Sequence, residues 1–486
     1  MKVIIIGAGI AGIASAIRLR LQGHEIHVYE ANSYPGGKLS AFGREGYRFD
    51  AGPSLFTMPQ YVEELFALAG KDMAPYLQYK RLPIVCNYFW EDQTRLSAYA
   101  DTEDFAYEVE DKLGVSRHGL YRAIEDSQLK YELTGTIFMN KPLNKLSTWL
   151  SWDVVKALLK LNKLHVFKNM NAVNESLLNH PKLVQLFNRY ATYNGSNPYE
   201  APGILTIIPH LEHHFGAYIP KGGMHDITLA LARLAAELGV VFHYNARVEE
   251  ILVENKRAVG IRLGDYNKIM ADRIVSNADV WHTYRRLLPS QKAPEKVLKQ
   301  QRSSSALIFY WGIKNVFPEL NLHNIFFSDD YKKEFETIFK DKDIYADPTV
   351  YVNITSKFVL SDAPKDCENW FVMINVPNNE GQDWDEITSR ARYFILKKLS
   401  RILDTPIEPL IACEDVLDPR TIESRTSSYQ GSLYGTSSNS RYAAFLRHAN
   451  ASSDIKGLFF CGGSAHPGGG IPLCLLSAKI MSDVFK

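Results

Sequence analysis

The stretch KVIIIGAGIAG, residues 2–12, decides the fold of this chain. The apolar, β-branched run at 3–6 is typical of a buried parallel strand. A glycine-spaced turn follows at once, residues 13–23 predict a helix that ends at a glycine, and residues 25–29 predict a second strand. Together these segments form a βαβ unit with the pattern G-x-G-x-x-G at its first turn.

Each glycine of this turn is required for a different physical reason. Gly7 permits the tight turn, Gly9 lets the backbone approach a pyrophosphate, and Gly12 lets the helix pack against the strand. The N-terminus of the helix offers free N–H groups and the positive end of its dipole. Glu30 ends the second strand, where a carboxylate can accept hydrogen bonds from ribose hydroxyls. The unit predicts a dinucleotide site, and a glycine-rich turn without a ligand is the alternative.

Two further segments extend the pattern. PGGK at 35–38 brings a second pair of glycines, and Lys38 can meet phosphate or flavin oxygens. FDAGPS at 49–54, taken alone, is typical of an ordinary turn. In this order and spacing the segments resemble the FAD-binding signature of the flavin amine oxidase and phytoene desaturase superfamily. NAD dehydrogenases do not usually carry the second glycine pair, so the resemblance implies FAD.

The remainder of the chain narrows the resemblance. GGSAHPGGGIP at 462–472 is similar to the terminal motif of the bacterial phytoene desaturase type of carotenoid desaturases and isomerases. Three further segments resemble motifs of the same family: YNGSNP at 193–198, PKGGM at 220–224 and SNAD at 276–279. The resemblance runs from residue 1 to residue 486. It implies hydride transfer from a saturated carbon of a polyene to the flavin, in a long apolar tunnel.

The implied fold class is α/β. A Rossmann-like FAD-binding domain of the amine-oxidase (GR2) type holds an inserted mixed α+β substrate domain and a helical, membrane-facing region. We expect three FAD-binding parts at 1–75, 216–290 and 416–486. We expect the helical region at 76–215 and a substrate-binding sheet at 291–415, in which residues 303–310 and 370–376 are strands. Residues 258–263 and 268–275 predict a paired hairpin.

The resemblance also selects site residues. We predict that the FAD is bound by Gly7, Gly9, Ile10, Ala11, Gly12, Glu30, Gly36, Gly37, Lys38, Gly52, Pro53, Ser54, Val248, Gly463, Ile471 and Pro472. Few polar catalytic groups are needed, because flavin supplies the difficult chemistry. Asp153 and His466 are candidates for an acid or base, with a solvated helix residue and a structural histidine as their alternatives.

The substrate is less well defined by the sequence. YPGGKL at 34–39, FDAGPSLFTMP at 49–59 and YQGSLYG at 429–435 look more like the hydroxycarotenoid 3,4-desaturase branch. That branch acts on an acyclic end that already carries a tertiary hydroxyl. Phytoene desaturation is the nearest alternative. More distant alternatives are a flavin amine oxidase and a non-enzymatic prenyl-lipid carrier like the GDP-dissociation inhibitors.

The partners follow from composition and pattern. TWLSWDVVKALLKLNKL at 148–164 predicts a basic amphipathic helix, and residues 141–168 contain six lysines and a single acid, Asp153. Such helices lie in a membrane surface or pack on a core with a solvated basic face. The net charge of +1 gives no indication of nucleic acid, and the five scattered cysteines give none of a metal site. We predict a cytoplasmic protein, peripheral on the inner face of the cell membrane, with a carotenoid substrate.

Overall fold

A computed structural model describes residues 1–140, 152–440 and 446–485 of the chain. Its first layer is a parallel sheet of five strands whose order is not the order of the chain. Across the sheet the strands are Val241–His243, Glu25–Tyr29, Lys2–Ile6, Arg273–Ser276 and Leu458–Phe460. The sheet is therefore assembled from three separate parts of the sequence.

Helices pack on the parallel sheet and bury it. Ile10–Leu21 lies between His225–Glu237 and Ile471–Val484, and all three helices contribute to one apolar core with the strands. The interior of Lys2–Ile6 is fully buried, as expected for a strand that is covered on both faces. The N-termini of Ile10–Leu21 and Ile471–Val484 both open into the same cavity, because residues at the start of each helix line it.

A second, mixed sheet of seven strands lies on the other side of that cavity. Its strands, in order across the sheet, are Ile411–Leu417, Ser305–Ile313, Glu368–Val376, Val350–Asn353, His323–Phe326, Ile84–Phe89 and Arg95–Tyr99. The helix Trp384–Ile402 covers one face of this sheet. The predicted strands at 303–310 and 370–376 belong to it, with bounds of Ser305–Ile313 and Glu368–Val376.

Three small sheets complete the strand inventory of the described residues. They are Ala41–Arg44 with Tyr47–Asp50, Phe56–Thr57 with Ala217–Pro220 and Tyr79–Arg81, and Val248–Glu254 with Arg257–Leu263 and Lys268–Met270. The predicted hairpin of 258–263 with 268–275 is wrong in its second half. The run 268–275 breaks at Ala271, and Arg273–Ser276 leaves its antiparallel partner to join the parallel sheet.

The remaining helices form a separate cluster and several connections. The longer ones are Gln60–Leu68, Thr102–Leu113, His118–Asn140, Trp152–Leu159, Met170–Leu177, Pro181–Asn188 and Pro419–Thr426. Short helices are Ile208–His213, Val280–His282, Glu295–Leu298 and Tyr331–Glu336, with 3₁₀ turns at Leu161–Leu164, Arg189–Asn194 and Gly203–Ile207. Within the described part of the chain, none of the helices has the length and apolarity needed to cross a membrane.

Candidate active site

A cavity of about 810 Å³ lies between the two large sheets. Its walls come from the first turn of the parallel sheet, the loop 36–58, one face of the seven-stranded sheet, the helical cluster and the loop 462–474. Apart from Gly12, every residue predicted to bind the cofactor lies on the wall of this cavity. The cavity has a backbone-rich end at the parallel sheet and an apolar end at the helical cluster.

The first turn is closed by direct backbone contacts. Gly7 has φ of +94° and donates its N–H to the Tyr29 carbonyl at 2.8 Å. A Cβ on Gly9 would lie 2.8 Å from Asn277 Nδ2, which itself donates to the Gly7 carbonyl at 3.2 Å. A Cβ on Gly12 would lie 2.2 Å from that carbonyl oxygen, so Gly12 packs the helix onto the strand and does not face the cavity.

Glu30 is held rigidly at the end of its strand. One carboxylate oxygen accepts the Ala8 N–H at 2.8 Å, and the other accepts the Asn32 backbone N–H at 2.8 Å and Asn32 Nδ2 at 2.9 Å. A carboxylate oxygen accepts two hydrogen bonds. The oxygen that faces Ala8 therefore keeps capacity for a hydroxyl group in the cavity.

The second glycine pair folds against the first turn. The Gly36 N–H donates to the Ala8 carbonyl at 2.8 Å, and a Cβ on Gly37 would lie 3.7 Å from the Cα of Gly9. A Cβ on Gly52 would lie 1.9 Å from the Lys38 carbonyl oxygen. The segments 35–38 and 49–54 thus pack directly on each other.

Two cations, the half-buried Lys38 and the buried Arg447, line this end of the cavity. Lys38 Nζ donates to the Ser432 and Leu433 carbonyls at 3.0 and 2.8 Å, and burial lowers the pKa of its ammonium to about 8. Arg447 donates to the carbonyls of Tyr434 and Gly463, each at 3.2 Å, and burial lowers its pKa to about 10. Both charges are positioned by carbonyl oxygens, which leaves their positive potential directed at the cavity. No local motif around Arg447 indicates this position.

Asp50 has a structural role that its motif did not reveal. Its carboxylate accepts the backbone N–H groups of Met224 and His225 at 2.8 and 3.1 Å, at the start of the helix His225–Glu237, and pairs with Arg48 at 2.9 Å. A carboxylate is stabilising at a helix N-terminus. The FDAGPS segment is thereby tied to the PKGGM segment, which lies far away in the sequence.

The far wall of this end comes from the last motif. Gly463, His466, Ile471 and Pro472 all line the cavity. The backbone of His466 is fixed, because its carbonyl accepts Ser477 Oγ at 2.7 Å and Asn450 Nδ2 at 2.9 Å. Val248, at the start of its strand, also lines the cavity. The acid–base role of His466 stays a prediction, and the side chain of Asp153 lies outside the described residues.

The seven-stranded sheet presents alternate residues to the cavity. On the four strands from Ser305–Ile313 to His323–Phe326 the lining residues share one face and are Ala306, Ile308, His323, Ile325, Tyr351, Phe371, Met373 and Asn375. Their immediate neighbours, such as Leu307, Val352 and Ile374, are buried in the core beneath Trp384–Ile402. Since side chains alternate along a strand, the register of this sheet decides which residues reach the cavity.

A charged cluster lies beside this wall. Arg189 donates to Tyr88 at 2.8 Å and to Tyr193 at 2.9 Å, and its guanidinium lies 3.4 Å from Glu212. The Tyr190 and Tyr193 hydroxyls both donate to Glu212. The buried charge is thus paired and hydrogen-bonded, as a buried ion pair must be. Sequence reasoning missed this cluster because Tyr88 and Glu212 are separated in the chain from Arg189, Tyr190 and Tyr193, and the five residues form no local motif.

The apolar end of the cavity reaches the surface at the helix Trp152–Leu159. Leu158 lines the cavity and is also 62% exposed. Trp152 and Leu159 are 66% and 77% exposed. In the described ranges, no group of three or more histidine, cysteine, aspartate or glutamate side chains is arranged to hold a metal ion.

Comparisons with known proteins agree with this architecture. Residues 10–484 match the family model for flavin containing amine oxidoreductases. The chain is 50% identical to a 1-hydroxycarotenoid 3,4-desaturase from Flavobacterium sp. (strain P99-3), over 99% of this chain and 98% of the relative. It is 32% identical to a 4,4'-diapolycopene oxygenase from Methylomonas sp, over 99% and 97%. A solved oxidoreductase from Methanosarcina mazei has the same fold, with a TM-score of 0.64 at 16% identity over the full length of both chains.

Proposed function

The chain belongs to the flavin-containing amine oxidoreductase family, and from that membership we propose that it is an FAD-dependent carotenoid desaturase. The proposed reaction is 3,4-desaturation of a carotenoid whose acyclic end carries a hydroxyl at carbon 1. The observation that carries the proposal is the 50% identity to a 1-hydroxycarotenoid 3,4-desaturase over nearly the whole length of both chains. The cavity supports it, because a backbone-rich end meets a long apolar end.

The residues of the backbone-rich end fit FAD. A dinucleotide needs a place for its pyrophosphate, and Gly9 with the free N–H groups of Ile10 and Ala11 offers one. Glu30 keeps capacity to accept a ribose hydroxyl. A Cβ at Gly9 or Gly12 would collide with Asn277 or with the first turn, which agrees with a backbone shaped for close approach.

The flavin would lie between the second glycine pair and the loop 462–474. Gly36, Gly37, Lys38, Gly52, Pro53 and Ser54 would contact it from one side, and Val248, Gly463, Ile471 and Pro472 would close the dinucleotide site. The Lys38 and Arg447 cations suit negative charge there. We retain the segments 1–75, 216–290 and 416–486 as the proposed FAD-binding domain.

The protein's contribution to the reaction is alignment and exclusion of water. FAD supplies the hydride acceptor, and the substrate loses two hydrogens as one C–C single bond becomes a double bond. Ile308, Ile325 and Met373 form an apolar wall against which a polyene end can lie. His466 stays the candidate among the cavity-lining residues for assisting the loss of the proton.

The apolar surface around the cavity mouth supports docking on a membrane. The helix Trp152–Leu159 exposes large apolar side chains beside lysines, and this combination is typical of segments that lie in a lipid interface. The exposed residues are Trp152, Leu158, Leu159, Leu161, Phe167, Lys156, Lys160 and Lys163. A carotenoid could then pass from the bilayer into the cavity without crossing water. The proposed location is the inner face of the cell membrane.

The function is tested with purified protein, FAD and liposomes. One reaction contains a 1'-hydroxylated γ-carotene and a second contains phytoene, and the products are compared by chromatography and absorption spectra. A product two hydrogens lighter and red-shifted from the hydroxylated substrate alone is the expected result. Conversion of phytoene alone would make the protein an early-pathway desaturase, and conversion of neither by flavin-loaded protein would refute the carotenoid assignment.

Two alternative classes give different results in the same preparation. A prenyl-lipid carrier would purify without the absorption spectrum of flavin. An amine oxidase would reduce its flavin with a primary amine and leave both carotenoids unchanged. The desaturase proposal expects bound flavin that is reduced by the hydroxylated carotenoid and not by the amine.

A further inference from the structure

A short hydrogen-bond chain connects the loop 49–54 to the seven-stranded sheet. The Ser54 hydroxyl lies 2.8 Å from the Tyr351 hydroxyl, which lies 2.7 Å from His323 Nδ1. All three residues line the cavity. Ser54 and Tyr351 are partly accessible, whereas the strand neighbours of Tyr351, Val350 and Val352, are fully buried. The two hydroxyls therefore form a polar patch on the cavity wall beside Ile325 and Met373, the apolar partners of Tyr351 on the adjacent strands.

The direction of the chain follows from its last member. Asn353 Nδ2 donates to the Leu322 carbonyl at 3.0 Å, which fixes the orientation of the amide, and it also lies 3.2 Å from His323 Nδ1. Nδ1 therefore accepts, and the imidazole proton is on Nε2. Burial lowers the pKa of His323 to about 4, so the ring is neutral at physiological pH.

An accepting Nδ1 orients the two hydroxyls. The Tyr351 O–H donates to His323 Nδ1, so the Ser54 O–H donates to the Tyr351 oxygen. This arrangement leaves lone pairs of the Ser54 oxygen without a proton donor among the residues that the structure describes. The patch is thus prepared to accept a hydrogen bond from a hydroxyl group in the cavity.

The position of the patch matches the chemistry of the substrate. Ser54 follows closely after Gly52, which packs on the Lys38 carbonyl next to the second glycine pair at the proposed flavin site. Ile325 and Met373 are the register partners of Tyr351 on the two adjacent strands, and both line the apolar wall. In a 1-hydroxycarotenoid only two C–C bonds separate the hydroxylated carbon from carbon 3. A hydroxyl close to the reacting bond must therefore lie where the flavin site meets the apolar wall.

We propose that Ser54 and Tyr351, oriented by His323, form the recognition site for the tertiary hydroxyl at the end of the carotenoid. This inference rests on the proposed function. Ser54 and Tyr351 contact the substrate, and His323 is a positioning residue. The hydrogen bond places carbons 3 and 4 over the cofactor and discriminates against ends that carry no hydroxyl.

The test compares two substrates on the same flavin-loaded protein. We measure kcat/KM for 1'-hydroxy-γ-carotene and for 1',2'-dihydro-γ-carotene, which has the same saturated end without the hydroxyl. The wild-type protein is expected to favour the hydroxylated substrate. Tyr351→Phe and Ser54→Ala should each lower that ratio about tenfold, because a hydroxyl contact is lost. The ratio cancels differences in flavin occupancy between preparations.

A matched control lies outside the cavity lining. Tyr284 donates to or accepts from His448 Nε2 at 3.1 Å, so it forms a buried tyrosine–histidine pair like that of Tyr351 and His323. Tyr284→Phe should leave the substrate ratio unchanged. An equal drop in Tyr284→Phe and Tyr351→Phe would overturn the inference, because the effect would then be structural.

The outcomes separate the inference from the function on which it rests. If the wild type converts both substrates equally, the desaturase proposal stands and the recognition site is refuted. If Tyr351→Phe keeps the wild-type ratio, the inference is likewise refuted. Loss of flavin in Tyr351→Phe would assign the hydroxyl pair to the cofactor instead. If wild-type protein with bound flavin converts neither substrate, both proposals fail.

Discussion

The two walls of the cavity are built by different means. At the parallel sheet the wall is largely backbone, with glycines at positions where a Cβ would meet another main-chain atom or a fixed side chain. At the seven-stranded sheet the wall is made of side chains that alternate along the strands. We therefore expect the backbone wall to determine whether the cofactor binds, and the side-chain wall to determine which substrate is accepted.

The largest effect is expected from a substitution that disrupts the backbone wall, and the quantity affected is flavin retention. In Gly9→Val a branched side chain would press on Asn277, 2.8 Å from the new Cβ, and would fill the approach to the pyrophosphate. Retention of flavin should fall at least about a hundredfold, measured by absorbance after gel filtration. Gly264→Val is the control, because a Cβ there meets no atom closer than 3.9 Å. If Gly9→Val retains as much flavin as the wild type, the cofactor does not bind at this wall.

The second largest effect is expected from a substitution that fills the space next to the side-chain wall. It should lower carotenoid turnover and leave the cofactor bound. Met373 is partly accessible on the cavity face, so Met373→Trp would occupy space that the polyene needs. We expect turnover of the carotenoid to fall about a hundredfold, as misplacement by an ångström can cause. The flavin spectrum should be unchanged. Met270→Trp, at a site 53% exposed on another sheet, is the matched variant, and equal losses in both would contradict the division of roles.

The third expected effect is on membrane binding, at the helix Trp152–Leu159 where the apolar end of the cavity reaches the surface. Leu159→Glu replaces a leucine that is 77% exposed on the helix Trp152–Leu159. Partition onto liposomes should fall about tenfold, because burial of a leucine is worth about 1.5–3 kcal/mol. Co-sedimentation with vesicles measures this partition. Leu360→Glu changes a leucine that is 85% exposed elsewhere, and it should sediment like the wild type.

The smallest effect on function concerns a buried acid behind the side-chain wall. Glu334 accepts the Thr349 N–H at 2.9 Å and the Thr349 hydroxyl at 2.7 Å, and burial raises its pKa to about 7. Between pH 4.5 and 7 the folded state holds this proton and the unfolded state has lost it, so the free energy of unfolding falls as pH rises through that window.

Glu334→Gln should remove this fall and raise stability at pH 8 by about 1–2 kcal/mol, with no change in flavin content. Denaturant titrations at pH 5 and pH 8 measure the difference. The amide can keep both contacts with Thr349, since its oxygen accepts from the N–H and its NH₂ donates to the hydroxyl. A variant with the same pH dependence as the wild type would show that the carboxyl does not titrate in this window.

The same division explains what could be predicted from the sequence. The sequence predicts most residues of the backbone wall, because glycines at this spacing indicate a tight turn and Glu30 ends a recognisable strand. His323, Tyr351 and Met373 could not be found in this way. Each reaches the cavity only because of the strand register, and one residue of slip would turn all three toward the helix Trp384–Ile402.

Long-range geometry explains the remaining differences. The break of the run 268–275 after Met270 depends on a partner strand, Lys2–Ile6, that local periodicity does not contain. Hydrogen bonds to the carbonyls of Tyr434 and Gly463 hold Arg447 at the cavity, and the positions of these carbonyls depend on the folding of two loops. The general placement of three chain segments around one sheet was nevertheless visible from the order of the motifs.

The assembly of the parallel sheet from three separate segments has a consequence for biosynthesis. Strand Arg273–Ser276 lies between Lys2–Ile6 and Leu458–Phe460, and Gly463 lines the same cavity as Gly9. A ribosome must therefore add the loop 462–472 before the pocket opened by the earliest glycines can be closed. Cofactor loading would follow the synthesis of that loop, and a product terminated before it would stay colourless.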